Sequence, residues 1–243
     1  DDHEIRNDWV SDIDNWKMGL DGNDPEAASP EIFMLKKQAA MQAWYEHMPV
    51  RKALLPRAGT VALNRELRFG DLVSLQLLDT RQYRDDQPCG DGFKPACPEV
   101  FAKNAQVLGK AQEEWLNRNL SKGGATWSAL AQQVTMMSLD RRRKPEEPKK
   151  ILNLDSWAAY EDPRERMLAR LGNAGNAIVL TGDEHQNFCG DLVHKGKVVG
   201  SEFVATSISS GGDGSDKRGG ADEWLALNPE LKFSNDQRGY TVC

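Results

Sequence analysis

Apolar positions along the chain switch between two periods. After Ser29-Pro30, residues Phe33, Ala40, Met41, Trp44 and Met48 fall on one helical face. Ser29 is suited to cap that helix and Pro30 to open it; Pro56 and Gly59 break the pattern. From Glu66 to Leu78 the pattern is that of strands, Val73, Leu75 and Leu77 alternating with Ser74 and Gln76 before Asp79. Gln87 to Pro98 reads as a loop. A second helix is expected over Lys110 to Leu120, with Ala111, Trp115, Leu116 and Leu120 inward and Gly123-Gly124 as its stop. Trp127 to Val134 reads as a buried strand, and the proline-punctuated run RRRKPEEPKK, Arg141 to Lys150, as an exposed, solvated loop.

Asp162-Pro163-Arg164-Glu165 has the order of a capping box, with Asp162 as cap and Glu165 reaching back, and Gly172 is expected to end that helix. Asn176 to Leu180 then forms a short apolar strand running straight into Thr181-Gly182-Asp183. Further strands are expected at Asp191 to Val193, Lys197 to Val199 and Glu202 to Thr206. Strands mixed with helices predict an α/β or α+β layered fold.

Length and charge narrow the picture. The 243 residues suit one domain, 1–243, and a 39% hydrophobic content that omits the 21 glycines places the chain among globular proteins. A net charge of -6 and a pI near 5.4 do not resemble the basic footprint of nucleic-acid binding, so a phosphate would have to be held by local cations. No run approaches the ~18 apolar residues of a transmembrane segment. The chain opens on Asp1-Asp2-His3-Glu4, amid candidate chemistry, and is read as cut at its N-terminus. The four cysteines lack paired C-x-x-C spacing, which argues against structural zinc. The loop CGDGFKPAC allows a Cys89–Cys97 disulfide and an oxidising compartment; two free thiols is the other reading.

In the segment LTGDEHQNFCGD a buried strand ends at Gly182 and presents Asp183 and His185, where open α/β sheets collect ligands. A glycine there permits a tight turn, and an Asp and a His two apart can both turn toward one cation; a turn-capping aspartate beside a surface histidine is the alternative. Asp1, Asp2, His3, Glu4 and Asn7 gather further donors, and two of only four histidines thus lie in carboxylate-rich clusters far apart in the chain. Together they suggest one metal centre assembled from distant segments. In Asp79-Thr-Arg-Gln-Tyr-Arg84, Arg81 and Arg84 have the planar forks that bind phosphate, with Asp79 to orient one of them; spacing alone favours an Asp–Arg pair tying strand end to loop. Ser207 to Gly214 reads as a flexible turn, and Trp157 and Tyr160 as core aromatics ahead of an aromatic wall to the site.

Taken in order, DDHE with Asn7, LLDTRQYR, QPCGDG, EEWL, WSALAQQV, LDSWAAY, LTGDEHQNF and EFVATSISSGGDG resemble the C-terminal part of a PhoD-type alkaline phosphatase, within the calcineurin-like metallophosphatases, from Asp1 to about Tyr240. The resemblance implies two packed mixed β-sheets flanked by helices, a four-layer sandwich here incomplete at both ends, with a multinuclear metal centre at the strand ends. It places Asp2 where an asparagine bridges to metal, His3 where a histidine assists the leaving group, and Asn7 as a substitute ligand. It aligns Gly182-Asp183-Glu184-His185 with a Gly-His-x-His motif, so Asp183 replaces a histidine by a harder oxygen ligand suited to calcium or ferric iron. The family's first metal-binding segments, a cysteine-containing strand end and a Gly-Asp-Tyr motif, would lie upstream of Asp1.

By the same resemblance the expected cofactors are Ca2+ and Fe3+, the location extracytoplasmic, periplasmic or secreted, and the substrate a phosphate ester. The implied reaction is attack of a metal-activated hydroxide on phosphorus, with His3 and Asp2 catalytic, Asp2, Asn7, Asp183 and His185 on metal, and Arg81 with Asp79 on the substrate phosphate. A phosphodiesterase or nucleotidase preference, or a non-catalytic extracellular metal-binding module, are the rival readings.

Overall fold

In chain order, the secondary structure of the computed structural model begins with α1 (Pro30–His47), β1 (Arg65–Phe69), β2 (Val73–Leu77), β3 (Phe93–Pro95), α2 (Lys110–Lys122), β4 (Trp127–Ala131) and β5 (Ile151–Asn153). It continues with α3 (Glu161–Ala174), β6 (Ala177–Thr181), β7 (Asn187–His194), β8 (Lys197–Val204), α4 (Ala221–Leu227) and β9 (Leu231–Asn235). The structure describes residues 2–14, 29–57, 60–142, 146, 149–209 and 213–242. Asp1 of the opening cluster, Gly59, residues 143–145 and 147–148 of the charged run, and 210–212 of the glycine run lie outside the described residues, as do 15–28 and Cys243.

A seven-stranded mixed sheet runs β1-β2-β4-β6-β8-β7-β9, and β3 pairs with β5 in a two-stranded one. β2, β4, β6 and β8 are parallel, while β1, β7 and β9 join antiparallel at the two sides. This is the expected mixed α/β fold, with one large sheet, one small sheet and helices.

The face of β2 that is buried carries its polar set, not its apolar one. Ser74 and Gln76 are 9% and 1% exposed, and Gln76 donates to Ser74 Oγ (2.7 Å) and accepts from Asn119 on α2 (3.1 Å). A hydrogen-bonded pair of this kind removes the penalty of burying the amide. Val73, Leu75 and Leu77 are half-buried on the opposite side.

α2 and α3 pack together, α3 also lying against β7 and β8. Leu116, Leu130, Met167, Leu168, Val179 and Leu192 fill the space between sheet and helices, each side chain contributing about 1.5–3 kcal/mol by leaving water. A second cluster of Trp9, Phe33, Met41, Leu54 and Val61 anchors the N-terminal segment to α1. Lys37, also on that helix, is buried with its Nζ on Ser11 O (2.9 Å) and over the Trp9 ring (4.7 Å). Met48 is exposed, because α1 ends one residue before it.

Several expected boundaries move. No capping box forms at α3: the helix starts two residues earlier, with Tyr160 at the cap, so Asp162 sits inside the first turn and pairs with Arg166 instead. Glu165 turns to His194 (3.0 Å) and Arg164 (3.5 Å). Gly172 lies inside the helix against Val199; Gly175, at φ +69°, ends it. The expected Lys197–Val199 and Glu202–Thr206 strands merge into one, β8, which ends at Val204, and β4 stops at Ala131, after which Gln132 and Gln133 turn into hydrogen bonds with neighbouring strand ends. Gly109 opens α2 at φ +70°, where a Cβ would stand 2.9 Å from Tyr83 Cβ, so this helix docks closely on the 79–84 turn. Cys89 and Cys97 are joined in a disulfide.

Candidate active site

β2, β4 and β6 are parallel, and the segments beyond their carboxyl ends build one region: Asp79 to Arg84, Gln132-Gln133, and Gly182 to His185. Ligands collect at this end of an open α/β sheet. The N-terminal segment joins it through Ser11 N, which donates to Arg81 O (3.0 Å).

Arg81 is the hub. Its Nη1 and Nη2 donate to the two oxygens of Asp155 at 2.8 and 2.7 Å, and Nη2 also lies 3.5 Å from Asp2 Oδ2 and 3.8 Å from Asp183 Oδ1. Thus two expected metal ligands from distant parts of the chain meet on one guanidinium. Asp2 is 2% exposed; its Oδ2 accepts the Asp8 backbone N–H at 2.7 Å, and Oδ1 is 3.9 Å from His3 Nε2. His3 itself points outward, its side chain 71% exposed. Asn7 directs its amide to Asp8 Oδ2 (2.7 Å).

Asp79 is placed differently from the expectation. Its Oδ1 accepts the backbone N–H groups of Arg81 and Gln82, both at 3.0 Å, and its other oxygen takes the Gln82 amide. It shapes the turn that delivers Arg81, while the guanidinium is oriented by Asp155. Arg84 lies under the same carboxylate, 3.1 Å from Asp155 Oδ1, and over the Tyr160 ring at 5.1 Å. Trp157 is core, donating to Gln132 Oε1 at 2.7 Å.

Asp183 and His185 both hold positive φ, +71° and +54°, and Glu184 N returns to Gly182 O at 2.9 Å. A three-residue turn centred on a positive-φ aspartate is strained, and the strain is carried by Asp183 rather than by Gly182. Glu184, between the two, is tied inward by Thr135 Oγ1 (2.7 Å) and by Arg141. The Arg141 guanidinium lies among the rings of Phe93, Phe188 and Trp224, at 5.9, 5.3 and 5.2 Å. Expected as part of an exposed loop, its side chain is 9% exposed, because three aromatic faces and a carboxylate receive it.

Sequence reading missed Asp8, Asp91 and Gln87, and took Asp155 only as the start of an aromatic motif. Gln87 Nε2 bridges Asp155 Oδ1 and Asp8 O, each at 2.8 Å. Asp91, inside the disulfide loop, is 2% exposed, and its Oδ2 has no hydrogen-bond partner among the described residues. The QPCGDG motif held the signal for two of them. Burial and the neighbouring Asp155 and Asp91 push Asp8 up to about 8, against the pull of Arg81. Burial and Asp155 push Asp183 up to about 7. Burial opposes ionisation of Asp155 too, but Arg84 and Arg81 hold it below the usual carboxylate range. Carboxylates therefore outnumber the local cations, and the surplus is what a hard, oxygen-preferring cation would neutralise. That donor chemistry fits such an ion. Among the described residues, the trio with ligand atoms within 4.8 Å of one another is Cys89, Cys97 and Glu99, whose sulfurs are bonded to each other; Asp2, Asp183 and His185 are not drawn together that tightly.

A model of the PhoD-like phosphatase family matches residues 1–243. Alkaline phosphatase D of Bacillus subtilis (strain 168) is 41% identical over 253 residues, covering 100% of this chain and 41% of that protein. A solved structure described as that of PhoD superposes with a TM-score of 0.87 at 40% identity, covering 99% of this chain and 45% of that one. The chain spans less than half the length of these relatives. Matched along its whole length in sequence and in fold, the chain belongs to the PhoD-like phosphatase family.

Proposed function

We propose that the protein hydrolyses phosphoesters with the help of bound metal; the name of its Bacillus subtilis relative gives that protein as an alkaline phosphatase. The observation that carries this reading is the meeting of Asp2 and Asp183 on Arg81 at the carboxyl ends of the parallel strands, amid a surplus of carboxylates. Asp2, Asn7, Asp183 and His185 would hold the cation, and their hard oxygen donors favour calcium and ferric iron. When bound, the cation supplies neutralisation of phosphoryl charge and activation of water.

The chain's own residues do the rest. His3, exposed and 3.9 Å from Asp2, would give a proton to the leaving group. The turn at Asp183 and His185 is held by Glu184, so both side chains keep a fixed direction. The Cys89–Cys97 disulfide supports an extracytoplasmic, periplasmic or secreted protein.

Hydrolysis of p-nitrophenyl phosphate and of bis-p-nitrophenyl phosphate by the whole protein, with and without chelator, tests the reading and ranks monoester against diester. Chelator-sensitive turnover of either ester is expected. A folded, metal-loaded protein that cleaves neither would leave a metal-binding module in its place.

A further inference from the structure

We propose that the Arg81–Asp155 ion pair is a positioning device for Asp2 and Asp183, and that Arg81 does not grip the substrate phosphate. The proposal rests on the reading of this region as a phosphoester-hydrolysing site.

A guanidinium binds phosphate best with two parallel N–H groups. In Arg81 that fork is already closed on Asp155, at 2.8 and 2.7 Å, with the two side chains 3% and 5% exposed. To grip a phosphate it would have to release a buried carboxylate. Every neighbour acts against that release. Asp155 is also held by Gln87 Nε2 (2.8 Å) and Arg84 (3.1 Å), and its backbone N–H is fixed by Asn153 Oδ1 (3.1 Å). Arg81 is fixed from its own backbone by Asp79 and Ser11.

What Arg81 has to offer lies on its Nη2 side, where Asp2 and Asp183 stand at 3.5 and 3.8 Å. These carboxylates come from segments with no strand pairing between them. One clamped cation therefore sets the spacing of two carboxylates that would otherwise repel each other. The LLDTRQYR and LDSWAAY motifs are joined through this pair.

The test compares Arg81→Lys, Asp155→Asn and the double variant in the whole, metal-loaded protein. The readouts are kcat, KM for p-nitrophenyl phosphate, inhibition by inorganic phosphate, and metal affinity by titration of the stripped protein. A positioning role predicts that both single variants lose about 10- to 100-fold in metal affinity and kcat, keep KM and phosphate inhibition within about threefold, and are non-additive in the double variant. Because Asp155 orients the guanidinium, the two variants should behave alike under either role; what separates the roles is whether metal affinity and kcat fall or KM and phosphate inhibition weaken. Arg81→Lys raising KM and the phosphate inhibition constant by about tenfold or more, with metal affinity intact, would overturn the proposal. If Asp155→Asn does not fold, Arg81→Lys decides through the same split between metal and phosphate. A wild type that hydrolyses no ester would sink the functional reading alone, because metal titration and phosphate binding still separate the two roles of Arg81.

Discussion

Thr135 Oγ1 donates a 2.7 Å hydrogen bond to Glu184 Oε1, the same oxygen that receives the guanidinium of Arg141. Glu184 is thereby the tether of a turn whose two flanking residues, Asp183 and His185, hold positive φ. Glu184→Ala leaves Arg141 buried among aromatic rings without its carboxylate, at a cost of about 3–5 kcal/mol. Urea unfolding should show that loss, and phosphatase activity should fall with it as the turn relaxes. A variant as stable as wild type would show that the aromatic rings alone hold Arg141.

Glu202 gives the fold a pH dependence of defined sign. It accepts from Met136 N (2.8 Å), Met137 N (2.7 Å) and Thr181 Oγ1 (2.7 Å), yet burial pushes it from 4.5 up to about 7. Below about 4.5 the group is protonated in both folded and unfolded chains, and no difference arises. Between about 4.5 and about 7 the folded state binds the extra proton, so stability falls as pH rises, and above about 7 the loss is complete. Relative to Glu202→Gln, which does not titrate, wild type should lose about 3 kcal/mol across that window. Unfolding free energies of both proteins at pH 5 and pH 8 measure it; a difference independent of pH contradicts the assignment.

The Cys89–Cys97 bond closes the loop that carries Asp91 toward Asp155. Chain-entropy arguments give a bridge across so short a loop about 2–3 kcal/mol. Reduction, or the double serine variant, should lower the unfolding free energy by that amount and loosen the loop. Hydrogen exchange at Gly92 and Leu154 would report the loosening, since Leu154 N donates to Gly92 O at 3.0 Å. Unchanged stability under reductant would count against a structural role for the bond.

Where local pattern decides structure, the sequence was readable. The strand before Asp79, the apolar run into Thr181-Gly182-Asp183 and the helix from Lys110 all form near their expected places, because each has a clear period and a clear stop. The capping box at Asp162 did not form because its residue order says nothing of where the helix begins, and the chain starts it at Glu161. β2 reads correctly as a strand but wrongly as to its buried face, since Gln76 and Ser74 satisfy each other and Asn119 at a distance no local pattern reveals. The same limit hid the acidic cluster. Asp8, Asp91 and Asp155 lie on loops with no periodicity, and their meeting is set by Arg81, Arg84 and Gln87 through long-range contacts. Arg141 was hidden by its charged neighbours, since burial of a guanidinium depends on partners supplied by β3, β7 and α4.

Asp183 and His185 are proposed to belong to a metal centre that hydrolyses phosphoesters. The most direct measurement is elemental analysis of the whole purified protein beside its Asp183→Asn/His185→Ala variant, with p-nitrophenyl phosphate hydrolysis monitored on the same samples. Bound calcium or iron and chelator-sensitive turnover are expected in wild type, with loss of both metal and turnover in a variant that still unfolds cooperatively. Full metal content and full rate in that variant would contradict the proposal.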